Sequence, residues 1–258
     1  MKIALGLAYD GTHFNGYQTQ PQGNTIQDHL ERAICAFLEV GSIETVAAGR
    51  TDAGVHASGQ VVHLQTDIER PLWNWVRGVN TFLPASIRVR WAAPVPDDFH
   101  ARFSARSRSY TYTLLNEPVD SPLHQRFATW VFQPLDHSRM NAAAQLLLGE
   151  HDFSAFRAAE CQAASPIRIL SRCEVQREGS LVRLFIEGNA FLHHMVRNIV
   201  GSLVEIGRGA QPVEWMGQLL ASQDRSAAGR TFAPQGLCLV SVAYDHPFLC
   251  VPESSSAA

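Results

Sequence analysis

Between positions 49 and 57 the chain reads Gly49-Arg50-Thr51-Asp52-Ala53-Gly54-Val55-His56-Ala57. An arginine, a carboxylate and an imidazole fall close together there, and Asp52 is the only carboxylate among them. A neighbouring arginine favours the ionised form of an aspartate, and an ionised, oriented carboxylate is a usable nucleophile. Gly49 and Gly54 allow tight turns and the close approach of a ligand. The same residues also suit a plain turn, with Arg50 and Asp52 as a structural ion pair.

Two further stretches carry groups that could do chemistry. From Arg106 the sequence alternates, so that Arg106, Arg108, Tyr110 and Tyr112 share one face of a strand and the other face carries Ser and Thr until Leu115. Arginines that follow phosphates beside aromatics that stack on bases are the ingredients of single-strand RNA recognition. A tyrosine pair in a core with arginines at a wet strand end is the other reading. In Asn189 to Gly201, Leu192, Met195, Val196 and Ile199 have core spacing, and Arg197 stands among them. A buried arginine demands a carboxylate partner. His193 and His194 are adjacent and on a helix would not share a face. With no third ligand in view they are expected to be polar or packing residues, not a metal site.

The elements that must position these groups are legible from periodicity. Ile3, Leu5, Leu7 and Tyr9 share one face of a strand. A helix is expected from about Thr25 to Val40, with Asn24 and Gln27 as its capping box and Gly41 ending it. Strands flank the Asp52 loop, at 43–48 and 59–64. Pro71 opens a second helix, Pro84 stops it, and residues 87–92 form another strand. This order, β-α-β-β-α-β, is the split βαβ, ferredoxin-like unit. Pro94-Val95-Pro96-Asp97-Asp98 reads as a linker. The second half repeats the plan. It has a strand at 126–132, a helix capped by Asp136, a hairpin turning at Glu178-Gly179-Ser180, a helix from Phe191 to about Gly207, a shorter one from Pro212, and a last strand from Leu237 to Tyr244. The fold class expected is α+β, with mainly antiparallel sheets. The halves expected are 1–104 and 105–250, with 251–258 a disordered tail.

Composition narrows the function classes. The chain has 258 residues, 46% of them apolar and 17% charged, which suits a globular core and argues against disorder. No run of about 20 apolar residues is present, so no membrane span is expected. The first residues enter a strand pattern without the layout of a signal peptide, and a cytoplasmic protein is expected. Cys35, Cys161, Cys173, Cys238 and Cys250 are scattered and form neither a disulfide framework nor a zinc motif. The formal net charge of −3 points away from nucleic acid, yet Lys2 is the only lysine and every other basic residue is arginine, the better fork for phosphates.

The loop from Gly49 to Ala57 resembles the active-site motif of the tRNA pseudouridine synthase A family. The resemblance spans about Ile3 to Tyr244. It takes in Tyr9-Asp10-Gly11-Thr12 with Phe14, Gly16 and Gln18, then Phe99-His100-Ala101-Arg102-Phe103 with Tyr110. It continues through Phe191 to Gly201, and from Gly229-Arg230-Thr231 through Pro234 to Gly236-Leu237. Tyr17 stands where the family often has Trp, and the family is usually richer in lysine. The resemblance implies an isomerase that converts uridine to pseudouridine in the tRNA anticodon stem-loop, at the positions named 38 to 40. It also implies no metal or cofactor, two ferredoxin-like halves flanking a basic cleft, and a homodimer. By the same resemblance Asp52 is the nucleophile and Tyr110 stacks on the target uracil. Arg197 pairs with the aspartate, and Arg50 helps displace the target nucleotide. The carboxylate could attack C1′, deprotonate the sugar or add to uracil C6.

Two rival classes are weaker. A non-catalytic RNA-binding module would carry aromatic residues in the central strands of the first half, and 46–48 and 61–64 carry none. A glycosidase needs two carboxylates at the site, and the Asp52 loop offers one.

Overall fold

The computed structural model describes residues 1–245; the expected tail at 251–258 lies outside the described residues. Strand β1 (Lys2–Tyr9) turns Ile3, Leu5, Leu7 and Tyr9 inward. Helix α1 (Ile26–Leu38) buries Ile26, Leu30, Ala33, Ile34 and Leu38 as one stripe. Its cap is Thr25, one residue later than expected. The Thr25 hydroxyl accepts from Asp28 N at 3.2 Å, and the Asp28 carboxylate accepts from Thr25 N at 3.1 Å. The helix stops at Glu39, which takes the left-handed conformation itself (φ 59°), before Gly41 is reached. Then follow β2 (Val46–Ala47), β3 (His56–Gln65), α2 (Leu72–Phe82) and β4 (Ile87–Val95).

The second half begins with β5 (Ala105–Asn116). The strand expected at 126–132 shrinks to β6 (Thr129–Val131). Helix α3 (His137–Gln145) is capped by Asp136, which accepts from Ser138 N and Arg139 N. A short β7 (Gly149–Asp152), not anticipated, precedes the hairpin of β8 (Ile167–Glu178) and β9 (Leu181–Gly188), which turns through Gly179 at φ 58°. Helix α4 (Met195–Gly207), α5 (Trp215–Ser222) and β10 (Leu237–Tyr244) complete it. Helix α4 starts four residues later than the apolar run suggests, because His194 takes a left-handed φ of 61° and ends the approach there.

Among the described residues all ten strands join one mixed, mainly antiparallel sheet, ordered β4-β1-β3-β10-β5-β9-β8-β7, with β2 on β3 and β6 on β5. The expected pair of separate sheets is thus corrected to one. The seam is short: β10 runs parallel to β3 through Cys238 opposite His56 and Leu239 opposite Ala57. It then pairs along β5 from Leu237 opposite Tyr112 to Tyr244 opposite Ala105. Buried apolar residues of both halves form one core on one face of the sheet, where Ile3, Leu5, Val62, Tyr112 and Leu184 meet α1 to α4. The other face of β5 shows Ser107, Ser109, Thr111 and Thr113, all half-buried. A smaller apolar cluster lies at the first half's end, where Ala4, Val61 and Val95 meet Phe99 and Ala101. No helix among the described residues is long and apolar enough to cross a membrane.

His63 joins that smaller cluster to the segment leading into β5. Its Nδ1 accepts the backbone N–H of Ala101 at 3.1 Å, and its ring lies edge-on to Phe99. Burial, with His100 and Lys2 nearby, pushes its pKa down to about 4. A protonated ring could not accept from Ala101. In the unfolded chain the group titrates near its ordinary value of about 6.5, so between pH 6.5 and 4 the unfolded state binds more protons. Stability is therefore full above about pH 6.5 and falls as the pH drops towards 4. His63→Asn, which keeps an acceptor but does not titrate, should flatten that part of the stability profile, as measured by urea midpoints across the range. A slope unchanged by the substitution would assign the acid sensitivity elsewhere.

Candidate active site

The loop that carries Asp52 is clamped from three sides. Below it, the Tyr9 hydroxyl bonds the Thr51 hydroxyl at 2.9 Å, and fully buried Gln60 donates to Gly49 O at 2.7 Å. Beside it runs the loop from Asp10 to Tyr17, whose Tyr17 N donates to Thr51 O at 3.0 Å. Contact is so close that a Cβ on Gly11 would lie 2.0 Å from Val55 O, and one on Gly16 would lie 2.8 Å from Thr51 O. Above it, Pro234 packs on Gly54. The His56 Nδ1 accepts Gly11 N–H at 3.1 Å, so its Nε2 carries the hydrogen that is shared between Arg126 O at 2.7 Å and Gln235 O at 3.2 Å. His56 thereby ties the loop's end to three distant segments. Tight packing of this kind holds a carboxylate without help from the substrate.

The second half supplies the groups that face Asp52. Arg197, in the first turn of α4, donates from one guanidinium nitrogen to Asp52 Oδ2 at 3.0 Å and from Nε to Phe232 O at 2.7 Å. The segment 229–232 can reach α4 only because Gly201 and Gly229 meet without side chains. A Cβ on Gly201 would fall 1.9 Å from Arg230 O. Buried Asn198 locks the same contact, donating to Phe156 O and accepting from Arg225 and Thr231.

His193 and His194 also belong to the site, which corrects the expectation for them. They precede α4 and do not lie on it, and the left-handed turn at His194 brings both rings together at 3.9 Å between centroids. His193 Nε2 stands 3.4 Å from Asp52 Oδ1, and His194 Nε2 stands 3.4 Å from Asp52 Oδ2. Burial holds His194 below the usual imidazole range, against the pull of the Asp52 charge. The third group that sequence spacing could not supply is Asp52 itself, 141 positions before His193. No signal in the sequence marked the break, because Leu192 keeps the core spacing of Met195, Val196 and Ile199 across it.

The remaining candidates divide. Tyr110 is 9% exposed, with Phe191 edge-on at 5.0 Å and its hydroxyl beside Gly49. Burial pushes its phenol far above the ordinary range, with the charge of Asp52 adding to the shift. Tyr112 is a core residue: it is fully buried and bonds Thr129 and Ala233 O. Arg50 is exposed and, among the described residues, has no hydrogen bond or ion pair. The ion-pair partners of Asp52 are Arg197, His193 and His194, so the Arg50–Asp52 pair read from the sequence is not formed. Arg108 is buried and follows no phosphate. Its guanidinium donates to Ala48 O at 3.0 Å, Arg102 O at 2.7 Å and Asn189 O at 2.8 Å.

The family model described as tRNA pseudouridine synthase matches residues 7–104 and 143–245. A protein named tRNA pseudouridine synthase A from Bordetella petrii is 56% identical over 244 residues, 94% of this chain and 91% of that protein. The chain belongs to this family. Proteins of the same name from Ralstonia nicotianae and Paraburkholderia xenovorans are 54% and 53% identical, covering 99% and 96% of this chain and 95% and 91% of their own lengths. A solved structure titled as a Cbf5-Nop10-Gar1 complex is similar over 78% of this chain and 54% of its own, at 13% identity and a TM-score of 0.33, too slight a likeness to bear on the site. The whole Asp52 loop, α4 and the segment 229–232 fall inside the matched residues.

Arg108 joins the strand entering the Asp52 loop to the segment entering α4. Arg108→Met would remove the donors that the guanidinium gives to Ala48 O, Arg102 O and Asn189 O, and a weaker one to Ala105 O. Each buried unsatisfied group costs about 1–3 kcal/mol, so a net destabilisation of about 2–4 kcal/mol is expected by urea denaturation. An unchanged midpoint would mean that water replaces the guanidinium at those carbonyls.

Proposed function

We propose that Asp52 is the nucleophile of a uridine-to-pseudouridine isomerisation in tRNA, the activity that goes with the family. The observation that carries this reading is the carboxylate itself. It stands on a loop fixed by its neighbours, with Oδ2 held by Arg197 at 3.0 Å and Oδ1 accepting no hydrogen bond among the described residues. One oxygen is oriented and the other is left to react.

In the reaction the N1–C1′ bond breaks, the uracil turns, and C5 joins C1′. C5 gives up its proton and N1 takes one up, so no redox partner is needed. The target nucleotide must first leave its stack, at a cost of a few kcal/mol. Arg50, exposed and without a protein partner, is read as the group that helps displace it. Tyr110 is read as the surface on which the uracil rests. Its buried hydroxyl, beside Gly49, can donate a hydrogen bond or pass a proton during the reaction. Arg197 keeps the carboxylate aimed. The same resemblance supports a finer reading. The substrate is the anticodon stem-loop, at positions 38 to 40. The enzyme works as a cytoplasmic homodimer, and each half, 1–104 and 105–250, is a ferredoxin-like unit beside the RNA cleft.

The test is tritium release from tRNA labelled at uracil C5. Asp52→Asn should abolish release while the fold and tRNA binding persist, because no other carboxylate lies in the loop. Near-normal turnover in that variant would sink the assignment. Arg197→Met should lower turnover more than binding. A normal rate with a shallower salt dependence of binding would make Arg197 a phosphate contact instead.

Tyr110→Phe keeps the ring and should keep affinity, with any loss of rate reporting on the hydroxyl. Tyr110→Ala should weaken binding of an anticodon stem-loop by roughly tenfold to a hundredfold, since base–aromatic stacking is worth about 1–3 kcal/mol. Unchanged affinity in Tyr110→Ala would remove the stacking role.

A further inference from the structure

The isomerisation uses the Asp52 carboxylate and the guanidinium that holds it. It calls on neither imidazole beside them. Yet His193 and His194 both turn Nε2 towards Asp52, and the ligand-capable atoms of the three residues all lie within 4.8 Å of one another. Neither ring has a hydrogen-bond partner for Nε2 among the described residues. Two neutral imidazoles and a carboxylate are the ligand set of open, three-residue zinc sites. Four-coordinate zinc with bonds of about 2.0–2.1 Å spaces its ligand atoms about 3.4 Å apart. His193 Nε2 lies at that distance from Asp52 Oδ1, and His194 Nε2 lies at it from the other oxygen, Oδ2, so a small turn of the carboxylate or of the His194 ring brings all three onto one ion.

The surroundings suit a bound ion as well. Arg197 bonds Asp52 Oδ2 and leaves Oδ1 for a monodentate contact. A ligating carboxylate is commonly hydrogen-bonded in this way by a neighbouring group. The positive charge of Arg197 lowers the affinity without blocking the position. His193 is exposed, so an ion can enter from solvent.

We propose that Asp52, His193 and His194 form a binding site for a borderline divalent transition ion such as Zn²⁺, and that occupancy inhibits the enzyme. The ion takes the Oδ1 lone pair that the reaction needs and stands where the ribose must come. Hard ions behave differently: Mg²⁺ prefers oxygen ligands in an octahedron and keeps its waters, so the Mg²⁺ that accompanies tRNA leaves this site alone. The binding half of the proposal is independent of the mechanism. The inhibition half rests on Asp52 as nucleophile.

The probe for binding is Co²⁺, added to the full chain after chelation of adventitious metal. One equivalent should bind with the visible absorption of four-coordinate cobalt, and Zn²⁺ should displace it. Loss of a supporting group alone costs about tenfold to a hundredfold in metal affinity, so His193→Gln and His194→Gln should each cost at least that. Asp52→Asn should cost as much. Affinity unchanged in the histidine variants, or only six-coordinate cobalt, overturns the site.

The second measurement is tritium release under Zn²⁺ or Mg²⁺, each variant scaled to its own uninhibited rate. Zn²⁺ should inhibit the wild type and Mg²⁺ should not. His193→Gln should need at least about tenfold more Zn²⁺ for the same fractional inhibition. Equal sensitivity in that variant overturns the inhibitory site, because the ion would then be acting on the RNA or elsewhere. If cobalt binds as described but Asp52→Asn still turns over, the nucleophile assignment fails and the metal site stands. If Asp52→Asn is dead and cobalt does not bind, the reverse holds.

Discussion

The contact between Asp52 and Arg197 joins positions 145 apart at 3.0 Å, and most of what is distinctive in the structure serves to keep them there. An ion pair partly removed from water contributes only if its geometry is held, since each charge gives up hydration to form it. The holding is done by close packing and neutral hydrogen bonds. Gly11 and Gly16 let neighbouring backbone press on the aspartate loop, Gly54 lets the Pro234 ring press on it, and Gly201 lets the segment from Gly229 press on α4. Phe232 O accepts from Arg197 and so fixes the guanidinium from its far side. The two halves of the chain must be one rigid body for such a contact to persist. The shared sheet supplies that.

Arg108 does for the backbone what Arg197 does for the side chain. A guanidinium has donors enough to serve several carbonyls in one plane, and Arg108 spends them on Ala48, Arg102 and Asn189. Those residues stand one step before the aspartate loop, three residues before β5, and four residues before the histidine pair. A buried cation without a carboxylate is costly, and three carbonyl dipoles are what offset it here. The position reads in sequence as part of a basic stripe on β5. In three dimensions it is a rivet.

How much of this could be read from the residues follows the range of the interactions. Local signals were sound. The alternation of β1 and β5, the Asp136 cap and the turn at Gly179 are set by neighbours within a few positions, and each appears where periodicity puts it. Boundaries shifted where two local signals competed. Thr25 took the cap from Asn24, and Glu39 accepted a left-handed turn before Gly41 could provide one. The site residues Asp52 and Arg197 stood out by type and by family resemblance, but the pairing of Arg50 with Asp52 did not form, because Arg50 points to solvent. The histidine pair was missed for a different reason. Adjacent residues on a helix diverge, and only the left-handed φ at His194 makes them converge. A β-alternation likewise cannot tell an arginine that meets solvent from one that meets three carbonyls.

The seam of the sheet has a bearing on how the protein is made. Strand β10 begins at Leu237, after every other strand among the described residues, yet it lies in the middle of the sheet, between β3 and β5. While the polypeptide is still being synthesised, both of those strands have an open edge, and open edges recruit other strands. The half that carries Asp52 is complete long before its neighbour, but it waits for the last segment to arrive before Pro234 covers Gly54 and Phe232 braces Arg197. A nascent chain therefore has the aspartate and not the enzyme, and the interval between them is when it is most exposed to mispairing and most in need of a chaperone.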